Sequence, residues 1–138
     1  MMTEPLWIRM IEELRQKHRI PEERFYGLEG ESMSRAIVAS MGLGGLDGTP
    51  AAYHPLRSPE ISRQRLHHAF GEQADVERIQ VQVDFFLAKV NQLIPVDWML
   101  PAPQFARVID EGLEKHFPEL TADARNVILG SYTYSHAK

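Results

Sequence analysis

Cysteine is absent from the chain, which excludes disulfides, thiolate-ligated zinc and thiol catalysis. Long apolar runs are absent too: no stretch approaches the roughly 20 apolar residues of a membrane span. An excess of cations is also missing. Lys and Arg number 15 against 19 Asp and Glu, a formal net charge of −4, which argues against a general nucleic-acid binder that must displace counterions. The opening residues, Met1 to Trp7, lack a basic region followed by an apolar run and do not read as a signal peptide. Together these absences point to a soluble, cytoplasmic chain with no nucleic-acid and no membrane partner.

What is present suffices for one packed domain spanning 1–138. Apolar residues make up 43% and charged residues 25% of the chain, enough apolar side chains to offset the ordering entropy of a single core. The acid is unevenly placed: residues 72–138 hold ten Asp/Glu and six Lys/Arg, whereas residues 1–71 hold nine of each.

The apolar residues recur mostly at helical spacing. Trp7, Met10, Ile11 and Leu14 form a stripe over 4–19, with Thr3 as cap and Pro5 in the first turn. Pro21 ends that helix and opens a short one over 22–28. Met33, Ile37 and Met41 predict a helix from Ser32 to a stop at Gly42. Ser58-Pro59-Glu60 is a cap followed by proline at the first helical position, and that helix stops at Gly71. Val76, Ile79, Val83, Phe86, Val90 and Leu93 predict the longest helix, over 73–94, ended by Pro95. Phe105, Val108, Ile109, Leu113 and Phe117 mark another over 103–117, and Val127, Ile128 and Tyr132 mark the last, over 122–134.

Residues 79–85 also alternate apolar and polar side chains, which is a strand signal. Helix is preferred because the heptad pattern continues on both sides, and no second strand is evident to pair with it. The fold class predicted is all-α, a single compact domain of about six helices. Its one long loop is 42–58, with four glycines and two prolines.

No catalytic signature emerges. Gly42-x-Gly44-Gly45 is not a dinucleotide fingerprint, because the sixth position is Asp47, and no Gly-Lys-Ser/Thr follows to make a phosphate loop. Gly30-Glu31-Ser32-Met33-Ser34 lacks the second glycine of a nucleophile elbow. His67 and His68 are adjacent and point about 100° apart on a helix. His68 and Glu72 have i, i+4 spacing, but Gly71 interrupts the helix between them. No catalytic residue, metal site or cofactor is therefore assigned.

Three functional readings follow. One is a self-associating subunit paired through apolar residues around Trp98. Another is an interaction protein that binds a basic partner enzyme. Its contact residues are Asp97, Trp98, Asp110, Glu111, Glu114 and Glu119: tryptophan is enriched at interface hot spots, and acids steer a basic partner. As a short, acidic, helical chain without a motif, the sequence resembles bacterial immunity-type and inhibitor proteins. That resemblance is one of composition and covers no particular position. The alternative is a small-molecule-binding domain or enzyme with its site near the 42–58 loop, contacted by Tyr53, His54, His67 and His68.

Overall fold

Small and apolar residues dominate 33–41, and they form the most enclosed element of the protein. The computed structural model describes residues 28–137; the helices expected over 4–19 and over most of 22–28 lie outside the described residues. Helix α1 is Gly30–Met41, and Met33, Ser34 and every residue from Ala36 to Met41 are buried. A helix buried nearly all round is a central one, and α1 packs against three others. It starts two residues before the expected Ser32. The Ser32 hydroxyl accepts from the Glu29 N–H at 3.1 Å, so Ser32 reaches back from the third helical position and does not serve as the cap itself.

The remaining described helices are α2 (Pro59–Phe70), α3 (Val76–Leu93), α4 (Ala102–His116) and α5 (Ala122–Ala137). The described part is mainly helical, as the sequence implies, with five helices. The Ser58 hydroxyl caps α2 by accepting from the Ile61 N–H at 3.2 Å, and Gly71 ends it with φ of 102°. Asp75 caps α3 by accepting from the Arg78 N–H at 3.1 Å, which sets its start three residues later than the pattern alone suggests.

Residues 79–85 are helical. Their alternation has a different cause from a strand's. At about 100° per residue, Ile79 and Val83 share one face while Val81 and Phe85 share the opposite one. All four are buried, but only Ile79 and Val83 belong to the main core cluster. A helix covered on two faces thus mimics strand periodicity.

The 42–58 segment is not wholly irregular. Gly42–Leu43 (β1) and Ala52–Tyr53 (β2) pair antiparallel, Gly42 opposite Tyr53 and Leu43 opposite Ala52. The pair lays β2 along α5. Gly45 makes the turn possible: its φ is +79°, and a Cβ there would lie 2.7 Å from both the Ala51 Cβ and the Val38 Cγ1.

The carboxyl end of α1 points into the protein, where its last carbonyls would cost about 1–3 kcal/mol each if left without donors. Two arginines and a serine supply them. Arg65 donates to the oxygens of Ala39 (3.2 Å), Val38 (3.1 Å) and Gly44 (2.7 Å). Arg57 Nε and the Ser62 hydroxyl both donate to the Ser40 oxygen, at 2.8 and 2.7 Å. The His54 N–H donates to the Met41 oxygen at 3.0 Å. Burial lowers the Arg65 guanidinium from its usual value, and the Asp47 carboxylate partly opposes that. Helix α2, which buries only Ser62 and Leu66, is thus tied to the centre largely by polar side chains.

Helices α4 and α5 run antiparallel. Asp110 meets Arg125 at 2.8 Å in their middle, and Phe105 at the start of α4 stacks on His136 at the end of α5. The core holds Phe105, Ile109 and Leu113 from α4 and Ala124, Val127 and Ile128 from α5.

Candidate functional site

Pro95 follows α3 and Pro101 precedes α4, so the seven residues 95–101 form a short bridge with restricted backbone. The bridge turns at Asp97. The Asp97 carboxylate accepts from the Met99 N–H at 2.9 Å, and the Asp97 carbonyl accepts from the Leu100 N–H at 3.3 Å. This turn pushes Trp98 and Met99 outward: Trp98 is 50% exposed and Met99 90% exposed. Pro95, Pro101, Ala102 and Pro103 are exposed as well. An apolar patch of this kind on one short segment is a marker of an interaction surface.

The patch rests on a fixed base. The Trp98 ring lies 5.1 Å from Phe105 and 6.5 Å from both Tyr132 and His136, centroid to centroid. His136 stacks on Phe105 at 4.2 Å. His136 Nε2 lies 2.8 Å from the Leu100 carbonyl oxygen; a carbonyl only accepts, so that nitrogen carries the proton and donates. The Tyr132 hydroxyl donates to the Asn91 side chain on α3. Burial pushes the Tyr132 phenol up to about 12. Residues from α3, α4 and α5 therefore hold one indole in one place, and ring pairs of this sort contribute about 0.5–1.5 kcal/mol each beyond their burial.

The six residues proposed from sequence for a partner do not form one cluster. Asp97 and Trp98 stand together on the bridge. Asp110 is half-buried and engaged by Arg125 within the fold. Glu111 and Glu114 are exposed on α4. Glu114 is about 13 Å along the helix from Phe105, from nine residues at 1.5 Å rise, and Arg107 and Lys115 are exposed on the same helix. Glu119 lies in the α4–α5 turn, beside a hollow of about 410 Å³ that also takes in Leu28 and Phe86.

The four residues of the alternative site are also dispersed. Tyr53 packs edgewise on Tyr134 at 5.9 Å and lies under the Arg57 guanidinium at 5.5 Å. His67 Nδ1 is 3.2 Å from the Gly71 oxygen. His68 Nε2 is 3.1 Å from the Asp47 carboxylate, an exposed pair that ties the loop to α2. His54 Nδ1 is buried without a hydrogen-bond partner. Among the described residues, no three His, Asp or Glu side chains converge to hold a metal ion. No described helix is long and apolar enough to cross a membrane.

Another concavity lies where α1, α2 and α3 meet. It has a volume of about 650 Å³ and is lined by Ser40, Arg57, Ser62, Leu66, Gln80 and Val81 among others. Its polar groups are largely committed to one another: the Ser40 hydroxyl donates to Gln80 Oε1 at 2.6 Å, and Gln80 Nε2 donates to Asp84 at 2.9 Å. Sequence reasoning missed this cleft and the aromatic support beneath Trp98. Phe105 is 31 residues before His136, and no local pattern couples them. The tryptophan itself, a residue type enriched at interfaces, was the legible signal. Comparison with known protein families, with curated proteins and with solved structures finds no match to this chain.

Proposed function

We propose that this protein is an interaction module that binds a protein partner through the 95–101 bridge, with Trp98 and Met99 as anchors. The observation that carries the reading is the half-exposed Trp98, held on Phe105, Tyr132 and His136, next to a Met99 that is 90% exposed. A rigid aromatic loses little conformational freedom on association, so most of its burial energy becomes affinity. Asp97 at the same turn, together with the net charge of −4, favours a basic partner. An immunity- or inhibitor-type role fits such a surface, since covering another protein's active site needs complementarity and no catalytic group of its own.

The test is a reconstituted complex. A partner captured with the intact chain is purified and titrated against Trp98→Ala, Met99→Ser and, as control, Leu56→Ser at an exposed apolar residue of the 42–58 segment. Loss of a hot-spot tryptophan is expected to weaken binding roughly thirtyfold, about 2 kcal/mol, with Leu56→Ser unchanged. Wild-type affinity in folded Trp98→Ala would overturn the reading.

A second reading is favoured by the α1–α2–α3 cleft, whose roughly 650 Å³ falls within the usual range for small-molecule sites. It moves the ligand site of the alternative function away from Tyr53, His54, His67 and His68. A metabolite that raises the unfolding temperature of the wild type but not of Gln80→Leu would support it; a flat response across a broad metabolite panel would remove it.

A further inference from the structure

We propose that the Asp97–Trp98 corner recognises an arginine side chain of the partner, its guanidinium lying on the open indole surface and bonded to the Asp97 carboxylate. This rests on the interaction reading above and adds the chemistry of the group that is read. Three observations carry it. Trp98 packs its neighbours Phe105, Tyr132 and His136 beneath it yet leaves half of its surface open. Asp97, the preceding residue, is exposed and uses one carboxylate oxygen to accept from the Met99 N–H, which fixes the group and leaves the second oxygen without a donor among the described residues. Among the described residues, the one guanidinium placed over an aromatic ring is Arg57 over Tyr53, and no ion pair engages Asp97. The corner therefore offers a half-exposed indole and an exposed carboxylate on adjacent residues, neither matched by a cation among the described residues.

Arginine suits this pairing better than lysine. Its planar, weakly hydrated guanidinium stacks on an indole while its edge donates to a carboxylate, whereas an ammonium is a strongly hydrated point charge that does one or the other. The exposed Met99 and the prolines around it then accept the apolar residues flanking that arginine. The chain's net charge of −4 steers such a cationic segment toward it.

The probe is the capped tripeptide acetyl-Leu-Arg-Leu-amide, titrated against the whole chain while the Trp98 indole N–H resonance is followed, assigned by its loss in Trp98→Phe. Two analogues carry citrulline or lysine in place of arginine. Saturable movement of the resonance is expected with the arginine peptide, roughly tenfold weaker binding with the neutral citrulline analogue, and several-fold weaker binding with lysine. Asp97→Asn keeps the acceptor for the Met99 N–H, so the turn survives; it is expected to bring the arginine peptide down to the citrulline level. Equal binding of all three peptides would overturn arginine recognition while leaving apolar docking intact. No movement with any peptide, or movement insensitive to Asp97→Asn, also overturns it, and the interaction reading then stands or falls on the reconstituted complex.

Discussion

Arg65 reaches three carbonyl oxygens from two segments at once, and its value to the fold lies in that fork. Replacing it with methionine leaves buried acceptors at the end of α1 without donors. The expected loss is about 2–4 kcal/mol, read as a lowered urea midpoint with unchanged slope. Lysine is expected to recover little, because one ammonium cannot span three divergent oxygens. Tyr132 gives a second residue-scale test. Its phenol stands at about 12 in the fold, above the usual 10, so folding favours the neutral form. The associated stability is intact below about pH 10 and is lost as pH rises through about 12. Alkaline unfolding curves of Tyr132→Phe should lack that part of the decline. A 295 nm absorbance titration of the wild type should contain one phenol near 12 that the variant lacks.

Gly130 decides how closely an element can approach its neighbour. It lies inside α5, where alanine would gain about 1 kcal/mol of helix propensity. A Cβ there would nevertheless sit 2.7 Å from the Tyr53 Cβ on β2. That atom is fixed to backbone and cannot swing aside, and overpacking of this kind costs about 1–3 kcal/mol. Gly130→Ala is therefore expected to destabilise by about 1 kcal/mol despite the better helix former, with loss of the Tyr53–Tyr134 ring contact in aromatic chemical shifts. The same scale explains which elements were legible. The α2 start, with Ser58 as cap and Pro59 in the first turn, is local chemistry and was read to the residue. The α3 alternation was ambiguous because two buried faces of one helix and one buried face of a strand give the same short pattern.

At the scale of the whole molecule, charge and patch divide the work. Acids and bases intermix along α4, and Asp110 is already paired with Arg125, so under the proposed interaction role long-range attraction would rest on net charge and adhesion on Trp98. Raising the salt concentration from about 0.05 to 0.5 M shortens the screening length from about 14 to 4 Å. Association with a basic partner is expected to slow by an order of magnitude while dissociation changes little. If Trp98 instead serves a two-fold self-contact, sedimentation at rising concentration will reveal a dimer that Trp98→Ala abolishes.

The sequence by itself determined the mainly helical class of the described residues and several of their helix ends. Each of these is written in neighbouring residues: apolar spacing, caps, prolines and glycines act within a turn or two of chain. Tertiary structure alone decided how far Trp98 is exposed and what lies beneath it, which carbonyls Arg57 and Arg65 satisfy, which acids are spent inside the fold and where the α1–α2–α3 cleft opens. Those outcomes join residues 17 to 36 positions apart or more, and such meetings depend on how whole helices pack, which no local pattern encodes.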